Sequence, residues 1–454
     1  MTGKNHYHIV TFGCQMNESD SERMHGIMDQ LGYTETGSID NSDVILINTC
    51  CVRETAENKV YGLLGRLKKI KEKRPELVIG VGGCMTQLES TAAHIKKRYP
   101  YVNFVFGTGL MHQLPDLLER ATESKKTMII CPTPEGVYEG LPVKRADGLK
   151  AWVPVMYGCD NFCTYCIVPH VRGRERSRRP EDILKEVKDL TLSGCKEVTL
   201  LGQNVNSYGK DFGNGYGFGD LLDCLNNVEG LLRIRFMTSH PKDFSFGLID
   251  SLERNPKVCE HFHIPLQSGS DHVLKAMNRG YDREYYLGLI SGIRKRIPRA
   301  SITTDIMVGF PGETEEDFAA TIDMLERVGY DAAYTFIYNI RSGTPAEKMA
   351  DQIPGEEKTR RIGALIKRQN QISIEKNTEE AGRIHQVLVE GPSKSDEELM
   401  TGRTRTNKLV IFPGRSFKKG DLADVKIIGG TLTYLKGEEP GEKKCPCVGN
   451  IAEV

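Results

Sequence analysis

Across the first 130 residues, short runs of consecutive apolar positions alternate with longer amphipathic stretches. Tyr7–Phe12 (YHIVTF), Asp43–Asn48 (DVILIN) and Leu77–Val81 (LVIGV) predict buried strands, being too apolar for a half-wet sheet. Ser19–Gln30, Glu54–Glu72 and Thr91–Tyr99 follow them with helical periodicity. That order predicts a parallel sheet flanked by helices over residues 1–130. Residues 131–150 (CPTPEGVYEGLPVKRADGLK) are rich in Pro, Gly and charge and read as a linker. Alternation then resumes with AWVPVMY, KEVTLLG, LRIRFMT, HFHIPL, SITTDIMVG and AAYTFIY as strands. Helices lie between most of them, including Pro180–Leu192, where Pro180 suits a first helical turn. Six strand–helix units over 151–377 predict a partial (β/α)6 barrel, with its chemistry at the C-terminal strand ends. From 378 the runs shorten and Gly and Pro turns multiply (HQVLVEG, LMTGRTRTNKLVIF, DLADVKIIGGTLTYLKG), which predicts a small antiparallel β-barrel ending near 440. Residues 441–454 are polar and expected to be disordered.

Composition narrows the class. The 454 residues are 39% hydrophobic and 27% charged, so a large core can be buried. Lysine plus arginine equal aspartate plus glutamate at 61 each, which argues against a wholly basic nucleic-acid binder and leaves any such role to local patches. No apolar stretch reaches membrane-spanning length, and the start (MTGKNHYHIV) lacks a basic segment followed by an apolar one. A cytoplasmic protein with no membrane partner is expected, with a monomer as the default. In a reducing compartment its 13 cysteines suggest metal or redox chemistry rather than disulfides.

Three of them, Cys159, Cys163 and Cys166, stand at CxxxCxxC spacing just after the strand run beginning at Ala151, with no fourth cysteine nearby. A structural zinc site needs four protein ligands. Three thiolates suit a 4Fe-4S cubane, holding three irons and leaving the fourth for a small molecule. A second trio is less obvious. Cys14, Cys50 and Cys84 are 36 and 34 residues apart, yet each closes a strand run: IVTFGC, ILINTC and IGVGGC. Parallel strands end on one edge, so these thiols could converge there, with Gly13, Gly82 and Gly83 permitting tight turns. Small thiols also pack well at buried strand ends, and Cys51 could substitute for Cys50. Cys131, Cys195, Cys224 and Cys259 have no ligand spacing, and Cys445 and Cys447 lie in the tail.

The CxxxCxxC segment, with Phe162 and Tyr165 between its cysteines, resembles the cluster loop of radical S-adenosylmethionine (SAM) enzymes. In these the open iron chelates SAM, and the cluster's electron cleaves it to a 5'-deoxyadenosyl radical. TFGCQMNESDSE, NTCCVRETAENKV, VGGCMTQLE, YGCDNFCTYCIVPHVRGRERSR and VGFPGETEEDF together resemble the methylthiotransferases over residues 6 to about 440. That resemblance implies an N-terminal domain whose Cys14, Cys50 and Cys84 carry an auxiliary 4Fe-4S cluster, leaving Cys51 outside it. It further implies a central radical SAM barrel and a C-terminal TRAM-like barrel that binds substrate. Two clusters and two SAM would replace an unactivated aromatic hydrogen by a methylthio group, chemistry for which acid–base groups have little purchase.

Within the family, GCQMNE (Gly13–Glu18) and LGQNVNSY (Leu201–Tyr208) resemble the branch acting on dimethylallyladenosine next to the anticodon of tRNA. The alternatives are threonylcarbamoyladenosine in tRNA or an aspartate of a ribosomal protein. The expected partners are the anticodon stem-loop and an electron donor such as flavodoxin or ferredoxin. Two basic segments suit RNA: HVRGRERSRR (170–179), and Arg403, Arg405, Lys408, Arg415, Lys418 and Lys419 with Phe412 and Phe417 among them. An ordinary solvated surface would show the same composition. SAM contacts are expected at the strand ends of the barrel: Gln203 and Asn204, Ser239 and His240, Gln267 and Ser268, Asp305 and Gly309, and Arg341 facing the SAM carboxylate.

Overall fold

The computed structural model describes residues 5–51, 54–123, 127–145, 147–414 and 416–440. The expected tail (441–454), Cys445, Cys447 and Arg415 lie outside them. The chain divides into two compact units: residues 1–229 with 236–238 and 340–348, and residues 230–235 with 239–339 and 349–454.

In the first unit, β1 (His6–Thr11), α1 (Gln15–Gln30), β2 (Thr34–Glu35), β3 (Val44–Thr49), α2 (Glu54–Lys73), β4 (Val78–Gly83), α3 (Glu89–Arg98), β5 (Phe104–Phe106), α4 (Leu114–Glu123) and β6 (Met128–Ile130) follow in order. Their strands form one parallel sheet ordered β2-β1-β3-β4-β5-β6. β3 and β4 are buried at every position, which is why they lack polar alternation. Gly80 and Gly82 of β4 make room for aromatic rings: a Cβ would come within 2.4 Å of Phe104 and 2.2 Å of Phe106. α1 starts four residues before the expected Ser19. Cys14 is extended at its N-cap and accepts the Glu18 N–H at 3.1 Å, so the buried polar face of its first turn hid the helical period.

Among the described residues, 131–145 and 147–149 form no helix or strand, but side chains of the segment are held. Arg145 reaches Glu22 and Glu186, each at 2.5 Å, and Glu139 takes Arg178 at 2.6 Å. The unit continues with β7 (Lys150–Pro154), the hairpin strands β8 (Met156–Tyr157) and β9 (Arg176–Ser177) around α5 (Val168–Arg172), α6 (Pro180–Leu192), β10 (Glu197–Leu201) and α7 (Phe218–Asn226). β7 and β10 pair in parallel, and α6 starts on Pro180 as the sequence predicts.

After β11 (Arg233–Phe236), the second unit holds α8 (Phe246–Arg254), β12 (His261–His263), α9 (Asp271–Ala276), α10 (Arg283–Arg296), β13 (Ser301–Val308), α11 (Glu315–Val328), β14 (Ala332–Ile337) and α12 (Gly355–Thr378). β12, β13 and β14 pair in parallel. Helix starts follow capping chemistry: Asp282 caps α10, and Thr314 with Asp317 closes a capping box on α11. All six expected barrel strands are present. β15 (Ile384–Pro392), β16 (Leu399–Thr404), β17 (Leu409–Pro413), β18 (Leu422–Gly430) and β19 (Leu435–Glu438) then close a five-stranded barrel. One departure from the expected pattern is that β17 and β19 run parallel. Arg233, 1% exposed, donates to the carbonyls of Arg403 and Gln386, and Arg235 to those of Arg405 and Thr404. Buried guanidinia thus satisfy the backbone of this small barrel.

Candidate functional site

Strand order brings the first trio of cysteines together. β1, β3 and β4 are neighbours, so Cys14, Cys50 and Cys84 leave the same sheet edge. Gly13 (φ +141°) and Gly83 (φ +107°) make the turns, and a Cβ on Gly83 would meet the Thr49 carbonyl at 2.4 Å. Asn17 ties the edge: its amide donates to Asn48 Oδ1 (3.1 Å) and Thr49 O (3.0 Å) and accepts the Cys14 thiol at 3.5 Å. Cys50 and Cys84 are buried, whereas Cys14 is exposed.

Cys51 and Arg172 are the neighbours that spacing did not reveal. Arg172 Nε donates to Cys84 Sγ at 3.2 Å while its Nη2 meets Asp20 at 2.8 Å. A hydrogen bond from Cys51 lowers the Cys84 thiol to about 6, with Arg172 adding to the pull and burial opposing it. Cys51 itself is pushed up. The sign of Arg172's contact could not come from a run read as an RNA-facing patch.

The second trio sits in the loop that the β8–β9 hairpin closes. Gly158 (φ +77°) opens it, and a Cβ there would lie 2.0 Å from the Arg174 carbonyl. Cys159 N–H donates to Gly173 O (3.2 Å) and Cys166 N–H to Cys163 O (2.9 Å). Phe162 takes φ +46°, rare for a non-glycine, beneath the Arg174 guanidinium. Arg174 grips Asp160 through two bonds of 2.8 and 3.1 Å. Cys159 and Cys163 are buried and Cys166 half-buried. Gly158→Ala is expected to cost about 1–3 kcal/mol through the clash and the lost left-handed conformation. Urea midpoints against Gly148→Ala, where a Cβ meets nothing, would measure it.

Donor chemistry tests the fit of an iron–sulfur group. Each trio offers three thiols in one loop or on one sheet edge. Among the described residues, no set of three or more His, Cys, Asp or Glu side chains stands in metal-binding geometry. None of the described cysteines is in a disulfide. Soft sulfur-only donor sets suit iron–sulfur clusters.

Polar groups at the strand ends fit a polar ligand. In the first unit Gln203 Oε1 and both amide atoms of Asn206 are buried with no hydrogen-bond partner among the described residues, and Asn204 is buried beside them. Asn206 was not among the expected contacts, although it lies in the same LGQNVNSY run. Arg341 is engaged by Glu57 of α2. In the second unit Ser239 Oγ is similarly without a partner, and His240 accepts the Lys242 N–H at 3.3 Å. Gln267 (φ +68°) and Asp305 share a backbone bond of 2.8 Å. Ser268 is committed to the Ser270 N–H, and Gly309 (φ +73°) donates to Glu313 at 2.7 Å.

Much of the expected basic surface is interior. Arg172 and Arg178 are 5% and 4% exposed and held by carboxylates, because a cation inside the fold needs a partner. Lys408 is half-buried and paired with Asp331 at 3.0 Å, Arg405 is clamped on Glu260 at 2.7 Å, and Phe412 belongs to the small barrel's core. Arg174, Arg179, Lys418 and Lys419 are the exposed cations of the two segments among the described residues. Charge composition alone does not separate an ion-paired interior from a binding face.

Among the described residues no helix is long and apolar enough to cross a membrane. Residues 6–107 match the uncharacterized protein family UPF0004, 153–325 the radical SAM superfamily and 379–438 the TRAM domain. A radical S-adenosylmethionine methyltransferase from Kitasatospora setae, TsrM, shares the fold at TM-score 0.56 with 12% identity, covering 76% of this chain and 75% of that one. Curated relatives are far more similar. The tRNA-2-methylthio-N(6)-dimethylallyladenosine synthase of Desulforamulus reducens is 56% identical over 95% of both chains. Its namesakes from Carboxydothermus hydrogenoformans and Clostridium botulinum are 54% and 51% identical, each over 95% of this chain and over 98% and 96% of their own. Identity of that depth, over nearly the whole length, places this chain in the tRNA-2-methylthio-N(6)-dimethylallyladenosine synthase family.

Proposed function

We propose that this enzyme converts N6-dimethylallyladenosine next to the tRNA anticodon to its 2-methylthio derivative. Near-full-length identity to relatives of that name carries the reading. Two separate sets of three thiols support it. Cys159, Cys163 and Cys166 would hold a 4Fe-4S cluster with an iron open to SAM, and Cys14, Cys50 and Cys84 the auxiliary cluster. When bound, these groups supply one-electron chemistry able to replace an unactivated C–H hydrogen, together with the sulfur and methyl that replace it.

The chain's own residues fix and screen that chemistry. Gly158 and the Asp160–Arg174 pair shape the loop that carries the three thiols. Gln203 and Asn206 offer buried donors and acceptors for the polar parts of SAM. Burial of Cys159 and Cys163 shields those two thiols from water. Lys418 of the TRAM barrel and Arg179 are exposed cations suited to tRNA phosphates. In a division at 1–130, 131–150, 151–377, 378–440 and 441–454, the first segment would serve sulfur supply, the third radical generation and the fourth RNA binding. A flavodoxin or ferredoxin would deliver electrons to a cytoplasmic monomer.

Anaerobically reconstituted protein, given SAM, reductant and anticodon stem-loops, tests the reading by mass spectrometry of the nucleosides. Methylthio product is expected from dimethylallyladenosine and not from threonylcarbamoyladenosine or a ribosomal-protein peptide. Product from either of the latter alone would reassign the substrate.

A further inference from the structure

We propose that Arg172 is a positioning residue that sets the reduction potential of the auxiliary cluster, and that Asp20 trims its effect. This rests on the reading of Cys84 as a cluster ligand. Arg172 ends α5, which begins two residues after Cys166, so it belongs to the loop of one cysteine trio. Its side chain nevertheless reaches the other trio, with Nε 3.2 Å from Cys84 Sγ and Nη2 2.8 Å from Asp20 Oδ2. Both charges are interior: Arg172 is 5% exposed and Asp20 3%.

The placement is held from several sides. Ile167 and Val171 pack in one apolar cluster with Cys51, Cys84 and Met85. Thr108 Oγ1 donates to the Val171 carbonyl at 2.9 Å. Arg233 and Arg235, buried guanidinia with a structural role, spend their donors on backbone carbonyls. Here one edge is given to a sulfur, while Asp20 Oδ1 accepts no hydrogen bond among the described residues. The carboxylate therefore compensates the charge of Arg172 without competing for the Nε–H that faces Cys84.

Hydrogen bonds and positive charge at a thiolate ligand draw electron density off the cluster and favour its reduced state. Removing Arg172 should therefore lower the potential. Removing the charge of Asp20 should raise it, because Arg172 is then uncompensated. A residue that only braces the fold would change stability or iron loading and would not shift the potential in opposite directions.

The test uses the full chain with Cys159, Cys163 and Cys166 replaced by alanine, so that the auxiliary cluster alone is loaded. Iron content and an EPR-monitored redox titration are compared for this parent and for Arg172→Met, Arg172→Lys and Asp20→Asn added to it. Arg172→Met should shift the redox equilibrium about tenfold toward the oxidised state, about 59 mV for one electron. Arg172→Lys should fall between it and the parent, and Asp20→Asn should move the other way. If Arg172→Met takes up no iron, the upward shift in Asp20→Asn decides alone. Unchanged potentials in iron-loaded variants would overturn the proposal and leave the cluster assignment standing. A parent without iron would sink the assignment itself, and this proposal with it.

Discussion

Replacing Cys159, Cys163 and Cys166 together by alanine should lower the iron of the anaerobically reconstituted chain from about eight to about four per molecule and abolish product. No change outside the two cysteine trios should be as severe, since the remaining residues can only position chemistry that the clusters carry. Replacing Cys14, Cys50 and Cys84 should remove the same amount of iron but leave reductive cleavage of SAM. Single variants sharpen the assignment at the doubled cysteine. Cys50 sits against Gly13 on the strand edge, where a Gly13 Cβ would come within 3.0 Å of its own. Cys51 instead packs in the apolar cluster beside Cys84. Cys50→Ala should lose the auxiliary cluster and Cys51→Ala should keep it. Iron and sulfide analysis decides, and about four iron in the wild type with none in the first variant would leave a single cluster and withdraw sulfur insertion.

Sequence reading was strongest where one physical rule acted alone. The apolar runs of β3 and β4 pointed to buried parallel strands, whose C-terminal cysteines could then leave one edge. The α/β sheet, the six barrel strands and the closed small barrel all followed from periodicity. What escaped was decided by tertiary pairing. Arg172, Arg178 and Lys408 have the composition of an RNA-binding face, yet each finds a carboxylate that lies far away in sequence. β5 and β6, three residues each, are too short for a period to register. Asn17 reads as a loop residue and Asn48 as a strand end, and only the sheet edge sets their amides 3.1 Å apart.

Arg361→Met should destabilise the second unit by about 3–5 kcal/mol, the cost of stranding a buried charge. Arg361 of α12 donates to Glu313 Oε2 at 2.6 Å and to its carbonyl at 3.0 Å, and the Glu313 side chain is fully buried. That same carboxylate accepts the Gly309 N–H at 2.7 Å, closing the GFPGE turn in which SAM contacts are proposed. Arg360 is the control. It meets Glu315 at 2.5 Å with both partners half-exposed, so Arg360→Met should cost no more than about 1 kcal/mol. Protons give a second signature. Burial already pushes the Glu313 carboxyl up, against its bonds to Gly309 and Arg361. Without Arg361 it rises further above its unfolded value, so the folded state binds the proton more tightly and gains stability as pH falls through the folded pKa. The deficit should therefore be largest at mildly alkaline pH and shrink on acidification, and Glu313→Gln added to Arg361→Met should recover part of it at high pH. Two compact units need not unfold in one step, so hydrogen exchange at Gly309 and along α12 is the appropriate measure. A deficit below about 1 kcal/mol, or one independent of pH, would mean that the turn relaxes enough to hydrate Glu313, and that Arg361 does not hold it.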